Sequence, residues 1–168
     1  MNLTSTRRTF ALRFASLLSA LGLTAAMPSR GLAQSSAQDL NGVRKLNAEG
    51  KPGSEKDVIM PVIVHNGLIY VSGQGAHDSR DPKEWTIESH TTMVMDKVKK
   101  LVEVGGGTID SIVQTSVFLV KIEHWEAMTK VFGSYFPHGG PTRTTVAVAA
   151  LPGDSLVEIN CIAAVTRK

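Results

Sequence analysis

The sequence predicts one α+β domain in which two helices cover one face of a β-sheet. Short apolar runs rich in β-branched residues indicate five strands, and two longer segments between them carry apolar residues at helical spacing. The predicted order is β-β-α-β-α-β-β, with short connections and no internal repeat. Apolar residues make up 42% of the 168 residues and charged residues 20%, which is enough to form a core and too little charge for a disordered chain.

The domain is predicted to begin with a hairpin. Apolar runs at 62–64 and 68–71 lie on either side of Asn66-Gly67, a pair typical of two-residue hairpin turns. Residues 75–85 are rich in His, Asp, Ser, Arg and Pro, so this stretch favours a loop.

Two helices follow, and a strand separates them. Thr86 and Glu88 begin the first helix, and the glycines at 105–107 end it. Its apolar face consists of Val94, Val98, Leu101 and Val102. Residues 112–120 are rich in Val, Thr and Ser and predict a strand. The second helix ends at 137–141, and its predicted apolar face consists of Trp125, Met128, Phe132 and Phe136.

The last two strands complete the predicted sheet. They cover residues 144–150 and 156–165, with a turn at 151–154 between them. Glu158 and Asn160 share one face of the final strand. The opposite face carries Val157, Ile159, Cys161, Ala163 and Val165.

The positive charge of the chain is concentrated at its N-terminus. In total, 18 Lys and Arg exceed 15 Asp and Glu, which gives a net charge of +3. Residues 1–33 hold four arginines and no acidic residue. Residues 34–168 therefore carry 18 − 4 = 14 basic against 15 acidic residues, a net charge of −1. The basic character does not indicate a nucleic-acid partner for the folded domain.

The N-terminal residues have the parts of an export signal. Arg7-Arg8 precedes an apolar stretch at 14–27, and small residues at 31–33 are typical of a cleavage site, which together resemble a twin-arginine signal. We expect cleavage near residue 33 and a periplasmic or secreted protein. A mitochondrial-type leader or an uncut membrane anchor is the alternative. Residues 34–56 are polar and predict a flexible lead-in, and the domain itself covers 57–168.

Several familiar motifs are incomplete in this sequence. Gly73-Gln74-Gly75 lacks the third glycine and the following helix that a dinucleotide-binding loop needs. Ser72 has no Gly-x-Ser-x-Gly context that would indicate a nucleophile. The five histidines form no His-x-x-x-His pair, and we interpret most of them as solvated or capping residues. The single Cys excludes an intramolecular disulfide. We expect neither a metal nor an organic cofactor.

Arg143 and Glu158 are the strongest candidates for chemistry. Arg143 is predicted at the start of a strand, and Glu158 projects from the next strand on the face opposite its apolar residues. A carboxylate in such a place needs a partner or a function. Two interpretations are open, a salt bridge from Arg143 to Glu158 that joins neighbouring strands, or a functional site.

Motifs along the domain resemble those of the RidA family, which is also called YjgF/UK114. The resemblance covers residues 57–166. It rests on Tyr70-Val71-Ser72-Gly73-Gln74, Gln114-Thr115-Ser116-Val117-Phe118, Pro141-Thr142-Arg143, Leu151-Pro152, Val157-Glu158-Ile159 and Ile162-Ala163-Ala164-Val165.

The resemblance implies a chorismate-mutase-like fold that assembles as a homotrimer, with three sites at the subunit interfaces. It also implies a cofactor-free enamine/imine deaminase. Such an enzyme hydrolyses 2-imino acids such as 2-iminopropanoate and 2-iminobutanoate to 2-keto acids and ammonia. By position, Arg143 binds the substrate carboxylate and Glu158 positions the water. The other implied substrate-binding positions are Ser72, Gly73, Thr145 and Glu123.

Some positions depart from the family pattern. No tyrosine precedes the first predicted strand, Glu123 stands where Asn is common, and Asn160 replaces a second acidic residue. Thr145 stands where some members have Cys. These differences and the export signal indicate a divergent subgroup.

The departures leave a second function open, a non-catalytic binding protein for small carboxylated metabolites outside the cytoplasm. Ribonuclease activity has been attributed to some family members. It is disfavoured by the net charge of −1 over residues 34–168, because phosphate-backbone binding depends on clustered Lys and Arg. We expect neither nucleic acid nor a stable membrane anchor as a partner after cleavage.

Overall fold

The computed structural model describes residues 42–77, 81 and 85–166. The predicted export signal at 1–33 lies outside the described residues, and so does the first part of the predicted lead-in. Within the described ranges the chain forms two α-helices, α1 (Ile87–Gly105) and α2 (Trp125–Ser134). The six strands of these ranges are β1 (Arg44–Leu46), β2 (Val62–His65), β3 (Leu68–Gly75), β4 (Ile112–Leu119), β5 (Thr142–Ala147) and β6 (Val157–Ala164).

The strands form one mixed sheet in the order β1-β2-β3-β6-β4-β5. Strand β5 runs parallel to β4, and every other neighbouring pair is antiparallel. Strand β6 therefore lies in the middle of the sheet, whereas β5 forms one edge. The predicted class, an α+β domain with two helices and a mixed sheet, is confirmed.

Strand β1 is a correction to the predicted lead-in. Residues 44–46 pair with residues 62–64 of β2, and Leu46 is buried. The segment is polar, and three residues are too few to show an alternating pattern. Its strand character comes from pairing with β2 rather than from local composition.

The hairpin between β2 and β3 agrees with the prediction. Asn66 and Gly67 have φ values of 50° and 76°. Two consecutive residues with positive φ form the turn whose twist matches that of the flanking strands, and Asn-Gly is the pair that adopts it most readily.

Helix α1 begins and ends as its sequence predicts. The Thr86 hydroxyl accepts a hydrogen bond from the Ser89 amide at 3.1 Å, and the Ser89 hydroxyl accepts one from the Thr86 amide at 3.3 Å. Gly106 ends the helix with a φ of 92°, which glycine adopts without steric cost.

The core lies between α1 and one face of the sheet. On this helix-covered face, β6 contributes alternate side chains that are almost completely buried, Val157, Ile159, Cys161 and Ala163. From α1 the core receives Val94, Met95, Val98, Leu101 and Val102. The opposite side of the sheet, here the open face, carries Tyr70, Phe118, Glu158, Asn160 and Ile162.

Three details differ from the sequence prediction. Strand β5 begins at Thr142, so Arg143 lies within the strand rather than at its start. Trp125 is 44% exposed and is not part of the buried face of α2. His90 is a core residue rather than a solvated one, since it is 1% exposed and its Nδ1 accepts a hydrogen bond from the Leu156 amide at 3.1 Å.

Candidate active site

Arg143 lies on the helix-covered face of β5 and points toward α2. Its Nη2 donates a hydrogen bond to the Thr129 hydroxyl at 3.0 Å. Its guanidinium carbon lies 4.9 Å from the centroid of the Phe132 ring and 6.0 Å from that of Trp125. Cation–π contacts of this kind hold the planar group in place while leaving its edge free for hydrogen bonds.

The guanidinium of Arg143 has spare hydrogen-bonding capacity. Arginine carries five N–H donors, and among the described residues Thr129 is its hydrogen-bond acceptor and no carboxylate forms an ion pair with it. Partial burial lowers the pKa of Arg143 because desolvation disfavours the charged form. A half-buried cation held on aromatic rings without a counter-ion is suited to bind an anionic group, and a carboxylate can accept two parallel hydrogen bonds from it.

Glu158 lies on the open face of β6, directly opposite Gly75 of β3. Its side chain covers Gly73, because a Cβ atom built on Gly73 would lie 2.9 Å from the Glu158 carboxyl carbon. The pairing of β3 and β6 shifts register between Val71 and Gln74, which gives a β-bulge at Ser72-Gly73. The bulge and the missing side chain at Gly73 together make room for the carboxylate.

Ser72 belongs to the same group as Gly73 and Glu158. Its amide donates to the Pro61 carbonyl at 3.0 Å, and its hydroxyl accepts from Gln74 Nε2 at 3.0 Å. The hydroxyl proton of Ser72 is therefore free to donate to another group. Ser72, Gly73 and Glu158 form what we call the carboxylate half-site.

Arg143 and Glu158 do not meet within one chain. Strand β4 lies between β5 and β6, and the two side chains are on opposite faces of the sheet. Of the two interpretations left open by the sequence, the salt bridge between neighbouring strands is therefore wrong. We call Arg143 with Trp125, Thr129 and Phe132 the arginine half-site.

Thr145 and Glu123 occupy different surroundings. Thr145 lies two residues after Arg143 on the same face of β5, opposite the buried Val117 of β4. Glu123 is exposed in the short 3-10 turn Ile122–His124, which leads into α2, and it forms no ion pair with Arg143. The structure thus places Thr145 beside the arginine half-site and Glu123 at the N-terminal end of α2.

Two buried polar atoms in this region have no hydrogen-bond partner in the described part of the chain. They are Thr145 Oγ1 and His124 Nδ1. Buried polar atoms in proteins are normally paired with protein groups, ordered water or ligands. Both atoms are therefore candidates for contact with a bound molecule.

A shallow polar cavity of about 290 Å³ opens on the other side of the sheet. Its polar lining includes Tyr70, Gln114, Ser116 and Asn160. The open face also exposes Tyr70 and Val146 by 40% and 42%. This surface combines apolar and polar groups, and neither α1 nor α2 covers it.

Neither a metal cluster nor a spanning helix is found among residues 42–77, 81 and 85–166. No group of three or more His, Cys, Asp or Glu side chains there could hold a metal ion. Each helix in these ranges is too short or too polar to cross a membrane.

Known proteins resemble this chain over most of the described domain. The model of the endoribonuclease L-PSP family matches residues 58–165. The mitochondrial protein mmf2 of Schizosaccharomyces pombe is 34% identical over 101 residues, which cover 58% of this chain and 80% of that protein. A RutC family protein of Saccharolobus solfataricus is 35% identical over 98 residues, which cover 57% and 78%.

Solved structures agree with the sequence matches. YyfA of Yersinia pestis, a Rid family protein of unknown function, superposes with a TM-score of 0.64 at 32% identity, covering 73% of this chain and 99% of that one. The YjgF gene product of E. coli superposes with a TM-score of 0.61 at 25% identity, covering 72% and 98%. The chain therefore belongs to the endoribonuclease L-PSP family, which includes the RidA and YjgF proteins.

The sequence did not indicate the residues that surround Arg143. Trp125, Thr129 and Phe132 recur at helical spacing, a pattern that equally well describes a buried helix face. The family resemblance named Thr145, but the sequence did not indicate that Thr145 Oγ1 and His124 Nδ1 lack partners, because hydrogen-bond partners depend on the packing of distant segments. Gly73 carried a local signal, a glycine inside a strand, which often marks a bulge or a close approach.

Proposed function

We propose that this protein is a cofactor-free enamine/imine deaminase that hydrolyses 2-imino acids to 2-keto acids and ammonia. The observation that carries this proposal is the guanidinium of Arg143, half-buried on aromatic rings without a carboxylate partner among the described residues. Such a group selects a small substrate with its own carboxylate.

The chemistry requires few groups. The carbon of a protonated imine is already electrophilic, so the protein has to orient the substrate and deliver a water molecule. Glu158 can orient that water and accept its proton as the C–O bond forms, a contribution of about 10²–10⁴-fold for general-base catalysis. Ser72 can donate a hydrogen bond to the same water or to the substrate. This sequence of steps requires no metal or organic cofactor.

We further propose that each site forms between two copies of the chain, as in a homotrimer with three sites. The separation of Arg143 and Glu158 onto opposite faces supports this, because one chain cannot place both groups around one substrate. The sheet face that neither α1 nor α2 covers, with Tyr70 and Val146 exposed, offers a surface for packing against another copy.

Mixing two inactive variants tests the activity and the shared site together. The substrate is 2-iminopropanoate, formed in situ from alanine by an amino-acid oxidase, and the readout is ammonia release above the spontaneous rate. Arg143→Ala is expected to lose about 10–100-fold, since hydrogen bonds to charged groups contribute about 1.5–3 kcal/mol. Glu158→Gln is expected to lose about 10²–10⁴-fold.

The two variants are then co-assembled in equal amounts. In a closed ring with random mixing, an interface receives the intact arginine from one copy and the intact glutamate from the next with a probability of about one half times one half. Activity should return to about one quarter of the wild-type value. A mixture as inactive as its components would refute the shared site. Full activity of Arg143→Ala alone would refute the role of Arg143, and absence of wild-type imine hydrolysis would refute the deaminase.

The non-catalytic binding protein remains the second candidate. Glu123 favours it, because this exposed carboxylate, two residues before Trp125 of the arginine half-site, stands where Asn is common in the family. In that case a 2-keto acid such as pyruvate would raise the melting temperature of the wild type without any imine turnover. The net charge of −1 over residues 34–168 gives no support to an RNA substrate, although the matching family model carries the name endoribonuclease.

A further inference from the structure

His77 occupies a position that two glycines make available. It lies two residues after the end of β3, and its ring lies where side chains at Gly75 and Gly153 would otherwise be. A Cβ atom built on Gly75 would lie 2.6 Å from His77 Nε2, and one built on Gly153 would lie 2.6 Å from His77 Nδ1. These two glycines are distant in sequence, yet each leaves space for one edge of the same imidazole.

The ring of His77 lies on the same face of the sheet as Glu158. Gly75 and Glu158 are directly opposite each other in the antiparallel pair of β3 and β6. Side chains of opposed residues point to the same face, with Cβ atoms about 4.5–5.5 Å apart. Because the imidazole fills the side-chain position of Gly75, it lies next to the Glu158 side chain on the open face.

The two groups are neighbours without being bound to each other. Among the described residues, no ion pair or hydrogen bond joins His77 to Glu158. Both the carboxylate and the imidazole therefore remain available to a third molecule between them. His77 is also exposed to solvent, so it can exchange protons with water.

We infer that His77 is a second proton-transfer group of the carboxylate half-site and donates the proton with which the amino group leaves. This inference rests on the proposed deaminase function. It assigns to His77 a step that Glu158 alone performs less well, because one carboxylate would have to accept the proton of water and also return a proton to nitrogen.

The proton balance of the reaction shows why a second group is useful. Water adds to the protonated imine carbon, its oxygen forms the C–O bond, and its proton passes to Glu158, which gives a neutral carbinolamine. Protonated His77 donates a proton to the amino nitrogen. The C–N bond then breaks, ammonia leaves with the bonding pair, and the hydroxyl oxygen forms the C=O bond of the keto acid. The hydroxyl proton released in this step returns to the imidazole. The proton that Glu158 accepted from water passes to solvent.

The part of the chain that the structure describes places three charged groups near His77. Glu158 faces it from β6, and Asp154 follows Gly153 in the turn before β6. From α1, Lys97 donates its Nζ proton to the Gly75 carbonyl at 2.9 Å, at the strand that carries the His77 ring. Because these three groups can also affect the pH profile, the profiles of the wild type and the His77 variants are compared with Glu158, Asp154 and Lys97 unchanged.

The first experiment compares His77→Gln with the wild type in the 2-iminopropanoate assay. Glutamine retains a polar side chain of similar length, but its amide cannot act as an acid or a base in the assay. We expect kcat to fall about 10–100-fold, within the range of general acid–base catalysis. We also expect that the alkaline decrease of kcat disappears in the variant, because glutamine has no proton to lose in that step. His138→Gln, an exposed histidine in the loop after α2, is the matched control and should behave as the wild type.

Two further measurements test the role of His77, and the second, an NMR titration, is independent of turnover. His77→Ala should recover part of its activity when imidazole is added to the buffer, whereas His138→Ala should not respond. In parallel, pyruvate titrated into the wild type should shift the NMR signal of the His77 Cε1 proton and leave that of His138 unchanged.

The outcomes separate this inference from the proposed function. Wild-type imine hydrolysis with unchanged kcat and pH profile in His77→Gln would overturn the role of His77 and leave the deaminase intact. Pyruvate binding that leaves the His77 signal unchanged, together with unchanged activity on His77 substitution, would also overturn the role of His77 and leave the deaminase intact. Absence of imine hydrolysis in the wild type would overturn both proposals.

Discussion

Gly73 allows a test of how accurately Glu158 must be placed. In Gly73→Ala, the new methyl group would lie 2.9 Å from the Glu158 carboxyl carbon and 3.3 Å from its Cγ. Carbon atoms in contact are normally about 3.5–4.0 Å apart, so the carboxylate has to move by about 1 Å. Gly73 does not have a positive φ, so alanine fits the backbone without strain.

The displacement should reduce activity much more than stability. A misplacement of about 1 Å at a catalytic group can cost about 10²-fold, and we expect a loss of this size in kcat/KM for 2-iminopropanoate. The free energy of unfolding should change by only about 0.5–1.5 kcal/mol, because the end of a flexible side chain can rotate away. Urea denaturation measures the second quantity. Gly133→Ala is the control, since no atom lies within 4 Å of its new Cβ.

A double variant distinguishes displacement of Glu158 from blocking of the substrate. If the methyl group acts by moving the carboxylate, Gly73→Ala has no further effect in a Glu158→Gln background, because both changes remove the same function. Independent, multiplicative losses would show that the methyl group obstructs the pocket. Full activity of Gly73→Ala would refute the claim that the carboxylate position matters.

Two further predictions concern stability. In Gly105→Ala, the new Cβ would lie 3.0 Å from Cγ1 and 3.1 Å from Cδ1 of the fully buried Ile69. Overpacking should therefore lower the free energy of unfolding by about 1–3 kcal/mol in urea denaturation. An unchanged denaturation midpoint would contradict this packing. Burial raises the pKa of the Cys161 thiol from 9.0 to about 12, so the folded state disfavours the thiolate and stability should fall as the pH rises from 9 toward 12. Tyr135 makes a similar contribution at higher pH, because burial and the hydrogen bond from Tyr135 to Asp96 raise the pKa of Tyr135 from 10.0 to about 12. In Cys161→Ala the loss of stability should therefore begin only near pH 10. An identical onset in wild type and variant would refute the assignment to Cys161.

Local patterns predicted most of the fold because they act within a few residues. The Asn66-Gly67 turn, the Thr86 cap and the Gly106 end of α1 each depend on backbone preferences of the residues themselves. Strand β1 could not be predicted this way. Its three residues become a strand only because β2 offers unpaired backbone groups at that edge, and such an interaction has no local signature.

The sequence supplied candidate residues for the site but not their arrangement. The roles of Arg143 and Glu158 stay predictions that rest on the family resemblance, and the order of strands decides whether the two residues meet. A sequence in which β5 and β6 follow each other suggests adjacent strands, since sequential strands are usually neighbours. In the sheet, however, β4 lies between β5 and β6 and runs parallel to β5, so β5 and β6 are not neighbours.

The two half-sites also differ in what holds them in place. Glu158 lies on the central strand β6, which is paired on both sides, whereas Arg143 lies on β5, which pairs only with β4 among the described strands. The contacts of Arg143 with α2 therefore have a structural role, because they fix a side chain on an edge strand that would otherwise be free to move. Under the proposed function, a neighbouring copy has to present its carboxylate half-site to this arginine. Substitutions on the open face, far from either half-site, would then reduce activity by weakening the assembly and would leave each folded chain unchanged.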